Sequence, residues 1–274
     1  MRAGTVRLTL VLCLSLWGAI CFAQIPGLTP VDLSGGAPPS ATPAPPVAIA
    51  TDSASTAKAS SAAAHSAADA TISAQELSIP ESARKAFEKG RRLLVKEHRA
   101  EDSLALLRKA ARIAPAYWQA ELLLGVAYMD LRNWTEAEPS LRRAIAANVR
   151  LGAPYLALGS CLLEEEKFKD AEPQLLKGLE LNPDAAHGHY DLSRTYYALG
   201  RFEEARQQAM NAIEIGPSRA DAHFLLGNIL LQLGESRGAL AEFRDCLSLA
   251  PRAPLDAMAR EQITQLQAQQ IPTR

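Results

Sequence analysis

The chain has 274 residues, of which 48% are hydrophobic and only 5% aromatic, so any core must be built mainly from aliphatic and small side chains. Its 29 Lys and Arg stand against 30 Asp and Glu, a net charge of −1, with the two signs interspersed. That balance argues against a nucleic-acid partner, which needs a basic stripe.

Residues 1–23 contain Arg2 and Arg7, an apolar run over 8–20 and a small terminal residue, Ala23. A basic start, a short apolar core and a small end predict a secretory signal peptide, because the run falls short of the ~20 residues a spanning helix needs. The mature chain should then begin at Gln24 and be exported, to the periplasm or the exterior of a bacterial cell; the alternative is that the segment is kept as a membrane anchor. Lipid anchoring at Cys21 is disfavoured by Ile20, where a small residue is wanted. Residues 24–78 contain no Phe, Tyr or Trp and pass from a Pro/Gly-rich to an Ala/Ser-rich composition. Such a segment buries too little apolar surface to offset its ordering entropy, which predicts a disordered linker. Ser78, Pro80 and Glu81 then suit the opening of a helix over 83–95.

Beyond this point the sequence repeats every 34 residues. One small slot is filled by Gly125, Gly159, Ser193 and Gly227, and a second by Ala137, Ala171, Ala205 and Ala239. A third reads Ala144, Gly178, Ala212 and Cys246. A closing slot reads Pro115, Val149, Pro183, Pro217 and Pro251. In the first half of each unit Leu158, Gly159 and Leu162 and their equivalents sit at i, i+1, i+4; in the second, Ala171, Leu175 and Gly178 sit at i, i+4, i+7. Both spacings place large and small residues side by side on one helical stripe, so two helices can approach closely. Gly200 and Gly234 suit the turn between them. Each unit is thus a helix hairpin that must stack on its neighbours to bury its apolar faces. A weaker unit over 83–117 carries Gly90, Leu93, Ser103, Leu107, Ala110 and Pro115, with one extra residue expected in its turn near His98. Thr135 to Glu138, and Asp170 with Glu172, resemble helix-start signals. Pro139 and Pro173 share one slot early in the second helix. Residues 255–267 read as a polar capping helix.

The pattern L-G-x-x-Y, then A-x-x-x-L/F-x-x-A, then P resembles the tetratricopeptide repeat (TPR). Four units match, 118–151, 152–185, 186–219 and 220–253, with the weaker one before them. The family's first aromatic position holds Glu121, Tyr155, His189 and His223. The resemblance implies an all-α, right-handed superhelical solenoid of antiparallel helix pairs, about five repeats over 79–253, with a capping helix and tail over 254–274. It implies a non-enzymatic protein–protein interaction scaffold that takes a protein or peptide segment on its concave face. Carried over by position, that face collects Leu122, Val126 and Met129; Leu156, Ser160 and Leu163; His187, Tyr190, Asp191, Arg194 and Tyr197; and Phe224, Asn228 and Leu231. The family's clamp for a C-terminal carboxylate needs lysines where His187, Tyr190, Asp221 and Phe224 stand. An extended or helical partner segment is therefore expected, held by aromatic contacts, with Arg194 pairing to its acidic or carbonyl groups.

A search for chemistry yields no phosphate-binding glycine loop, metalloprotease helix, nucleophile elbow or paired C-x-x-C. No catalytic residue, metal or cofactor is expected. His187 and His189 point to different faces, and His189 with His223 read as core or groove lining. Cys161 and Cys246 should be free, buried thiols. Glu164, Glu165 and Glu166 read as a solvated helix end, and Asn133-Trp134-Thr135 as a chance match to a glycosylation sequon. Two rival settings remain: an envelope assembly or trafficking factor held near a membrane-associated complex by the N-terminal segment, and the non-catalytic part of an enzyme complex.

Overall fold

The computed structural model describes residues 79–249 and 254–269. The predicted signal peptide, linker and Ser78 cap lie outside the described residues. What is described falls into two compact units that divide after Tyr117, and no strand occurs among the described residues.

In the first unit, α1 (Glu81–Arg91) runs into a π-helical turn at Arg92–Lys96 and is followed by α2 (Ala100–Ile113). A Cβ on Gly90 would lie 2.9 Å from the Leu107 side chain, just as one on Gly125 would lie 2.6 Å from Leu141. Leu107 and Leu141 are one period apart, but Gly90 and Gly125 differ by one residue more. The inserted residue, expected in the turn near His98, is instead absorbed inside the helix. An i→i+5 turn holds one residue more than an α turn and leaves the flanking faces in phase, so Phe87 and Leu94 both remain buried.

The backbone itself repeats. Five residues with positive φ, His98 (53°), Arg132 (55°), Glu166 (59°), Gly200 (76°) and Gly234 (80°), occur at the same place in successive units. Each second helix starts two residues later. At Glu166 the N–H donates to Leu163 O (3.0 Å) and the Lys167 N–H to Leu162 O (2.9 Å), a pairing repeated at Arg132, Gly200 and Gly234. This left-handed close satisfies the last carbonyls of the first helix. It also decides where the second helix begins, so the expected start signals fall elsewhere. Asn133 and Lys167 occupy the N-cap positions, neither making a side-chain cap, while Thr135, Asp170 and Glu172 lie inside their helices. Nothing lies within 4 Å of a Cβ built on Gly200. Gly200→Ala should therefore cost about 1 kcal/mol from backbone strain alone, whereas Glu166→Gly should be neutral or stabilising. Urea melts of the two variants distinguish the outcomes, and a mild Gly200→Ala would remove the strain argument.

The second unit contains α3 (Trp118–Asp130), α4 (Trp134–Ala147), α5 (Gly152–Glu164), α6 (Phe168–Leu181), α7 (Ala186–Ala198), α8 (Phe202–Ile215), α9 (Ala220–Gln232), α10 (Ser236–Leu249) and α11 (Pro254–Gln269). Consecutive helices pair as hairpins, and α11 packs on α10 and α9 as the expected cap, burying Leu255, Ala259 and Leu266. The small slots mark the hairpin contacts. In the 152–185 hairpin, a Cβ on Gly159 would meet Leu175 at 2.5 Å and one on Gly178 would meet Leu156 at 2.5 Å, a reciprocal fit of leucine into glycine. Ala137, Ala171, Ala205 and Ala239 are fully buried, and Ser193 Oγ donates to Ala205 O at 2.7 Å.

Neighbouring hairpins are also linked by ion pairs in a fixed register: Lys167–Glu138 (3.0 Å), Arg201–Glu172 (2.6 Å) and Arg206–Glu235 (3.0 Å). In the third pair the acid and base have exchanged places. Exposed pairs contribute less than about 1 kcal/mol each; the exchange of sign gives the third junction a charge pattern unlike that of the first two.

Candidate functional site: the inner face of the repeats

Nine of thirteen residues are buried in α3 and in α5, against four of fourteen in α4 and in α6. The first helices also touch their counterparts, α3 with α5, α5 with α7 and α7 with α9. They therefore form the inner layer of the second unit, which bears the predicted binding positions.

Not all of those positions face outward. Leu122, Leu156, Tyr190 and Phe224 share one repeat slot and are all buried. Leu156 packs against Gly178 and Gly188, and Phe224 stacks on Phe243 with ring centroids 5.5 Å apart. Leu163 and Met129 are buried too. Ser160, expected to face the groove, is 9% exposed; its hydroxyl is hydrogen-bonded to Asp191 Oδ2, with Leu156 O a second acceptor within 3.0 Å. What remains accessible is narrower: exposed His187, with half-buried Val126, Arg194, Tyr197, Asn228 and Leu231.

Arg194 is largely committed within the protein. Its guanidinium donates to Glu164 Oε1 at 2.8 Å and lies 3.6 Å from Asp191 Oδ1. Burial opposes its charge, but Tyr190, Glu164 and Asp191 around it outweigh that and hold its pKa above the ordinary arginine value. Glu164 is thus a structural partner of α7 rather than part of a solvated helix end, and Glu165 pairs with Lys167 at 3.2 Å. Two guanidinium groups lie over the Tyr190 ring, Arg219 at 4.8 Å and Arg194 at 5.8 Å from its centroid. Tyr197 packs edge-on against Phe202 and is hydrogen-bonded with the Gln232 side chain; burial raises its phenol pKa. Desolvation lowers the His187 pKa, opposed by Asp191 and assisted by Arg219.

His189 and His223 sit between the helices of their own hairpins. His189 Nδ1 is 2.7 Å from Gln208 Oε1 and Nε2 is 2.9 Å from Pro183 O. His223 Nδ1 is 2.8 Å from Glu242 Oε2, with Asp245 beside it. Spacing alone did not reveal this group, since its members come from two helices. Cys161 and Cys246 are buried free thiols, each pushed up to about 12 by burial. Asn133 is exposed, with its side-chain oxygen accepting a hydrogen bond from Thr135. No described helix is long and apolar enough to cross a membrane.

A search of curated proteins gave no match. Among solved structures, MamA from Desulfovibrio magneticus RS-1 aligns at 19% identity over 65% of this chain and 99% of its own, with a TM-score of 0.57. YrrB, described as a TPR protein with an unusual peptide-binding site, aligns at 24% identity over 66% and 98%, with a TM-score of 0.52. Pseudomonas aeruginosa pilF aligns at 17% identity over 69% and 90%, with a TM-score of 0.58. These likenesses concern the fold. Tetratricopeptide-repeat family models match residues 87–150, 156–220 and 220–252, more than half of the chain. With the 34-residue period, the interlocked hairpins and the recurring left-handed turn, this places the chain in the tetratricopeptide-repeat family.

Proposed function

We propose that the protein is an exported, non-enzymatic scaffold that binds an extended or helical segment of a partner protein along the inner face of α7 and α9. The observation that carries this reading is the accessible group of His187, Tyr197, Asn228 and Leu231 on adjacent first helices, apolar and aromatic surface mixed with hydrogen-bonding groups. That composition suits the anchors of a peptide site. The family's use as interaction scaffolds and the peptide-binding site named for YrrB support it by analogy. Because Arg194 is engaged by Glu164 and Asp191, partner recognition rests on aromatic and amide contacts more than on that charge. Export, to the periplasm or the cell exterior, rests on the sequence of residues 1–23. A role in envelope assembly or trafficking is the natural setting for such a chain.

A photo-crosslinking residue placed at Tyr197, at Leu231 or at Met210 tests the groove in the native host. Met210 is 50% exposed on the second-helix side and serves as the control. The same partner should be captured from Tyr197 and Leu231 but not from Met210. Tyr197→Ala with Leu231→Ala should then weaken binding at least tenfold, about 1.4 kcal/mol. Capture from Met210 alone, or unchanged affinity in a folded double variant, would place the interface elsewhere.

A further inference from the structure

We propose that His223, Glu242 and Asp245 bind a divalent transition-metal ion of the zinc class on the last hairpin. His223 comes from α9, and Glu242 and Asp245 stand three residues apart on the facing α10. One ligand atom from each lies within 4.8 Å of the others, so small side-chain rotations bring them around a single ion. Among the described residues they are the one such group of His, Cys and acidic side chains.

The repeat supplies its own controls, because the same three slots recur in the earlier hairpins. In the 118–151 hairpin they hold Glu121, Ser140 and Arg143, and the acid is neutralised: Arg143 Nε donates to Glu121 at 2.9 Å and its terminal nitrogen to Ser140 Oγ at 3.0 Å. In the 152–185 hairpin they hold Tyr, Gln and Lys, which cannot form a metal site at neutral pH. In the 186–219 hairpin His189 meets an amide, Gln208, and the third slot is Asn211. The last hairpin alone places an imidazole with two carboxylates. Among the described residues, no Lys or Arg forms an ion pair with Glu242 or Asp245, whereas Glu121, Glu138, Glu172 and Glu235 each have a basic partner.

The chemistry fits a borderline cation. Neutral imidazole and carboxylate oxygens are zinc ligands, and three protein ligands leave a fourth position for water or a partner's side chain. The His223 and Glu242 side chains are 12% and 22% exposed, while Asp245 is exposed, so the group is held from inside and open to solvent on one side. An imidazole ligates a metal only in its unprotonated form, so ion binding competes with protons and affinity falls with decreasing pH. This site is separate from the groove reading, and neither depends on the other.

Calorimetric titration of the metal-stripped full chain with zinc chloride tests the proposal. The wild type should bind one equivalent with micromolar or tighter affinity, undisturbed by excess Mg²⁺ or Ca²⁺. Glu242→Gln with Asp245→Asn rebuilds the His, Gln, Asn set that the preceding hairpin already carries, so it should keep full helicity and lose at least tenfold in zinc affinity. Conversely, Gln208→Glu with Asn211→Asp should add a second equivalent. The proposal is overturned if the wild type takes up no stoichiometric zinc, if the rebuilt variant binds zinc as the wild type does, or if Ca²⁺ displaces the ion. A gain variant that still binds a single equivalent would likewise count against these positions as the ligand set.

Discussion

Phe243→Ala should cost about 3–5 kcal/mol, the range for deleting a fully buried aromatic side chain. Phe243 has no solvent exposure, fills the space over Gly227, where a Cβ would sit 2.6 Å from its ring, and stacks on Phe224. Gly227 opposite the ring has no side chain to move into that void, so it can close only in part. The loss should also be local. In an array, each hairpin touches only its neighbours, so stability is close to a sum of nearest-neighbour terms. Hydrogen exchange should accelerate across α9, α10 and α11 while α5 and α6 retain their protection. Uniform acceleration through the second unit would mean that the repeats unfold as a single block, and the nearest-neighbour view would then fail.

Arg194→Leu should be the most damaging change on the inner face, costing about 3–5 kcal/mol, as expected when one partner of a buried ion pair is removed. The arginine side chain is 15% exposed and lies between Glu164, at 13%, and Asp191, at 12%. Removing it leaves two carboxylates facing each other across the α5–α7 junction. Asp191 would keep its bond from Ser160, which is too little to offset the lost cation. Glu164→Gln combined with Arg194→Leu should recover part of the loss, because one of the stranded charges goes with its partner. Thermal melts of the single and double variants measure that coupling. A mild Arg194→Leu would show that the guanidinium is free to meet a ligand, returning it to the groove as first expected.

The architecture was legible because its requirements are local. Gly159 beside Leu158, and Ala171 one turn before Leu175, state where two helices of one hairpin must touch, and the chain restates this every 34 residues. The cap was legible for the same reason, its apolar stripe being thin and its other faces polar. Other features depended on groups contributed by neighbouring hairpins. Leu156, Tyr190 and Phe224 look like groove residues by position, but their side chains turn between the packed helices. Arg194 looks like a ligand contact until Glu164, thirty residues away, occupies it. The extra residue before His98 became a π turn rather than a longer loop because the recurring left-handed turn holds the start of the next helix in place. Helical periodicity determines which stripe of one helix is apolar, and the sequence by itself determined that much: all-α hairpins, the contacts within them and their cap. Which side chains on that stripe stay open depends on the rotation between successive hairpins. That rotation is set by contacts between residues 29 to 31 positions apart, such as Lys167 with Glu138, Arg194 with Glu164 and Ser160 with Asp191, so only the tertiary structure decided it.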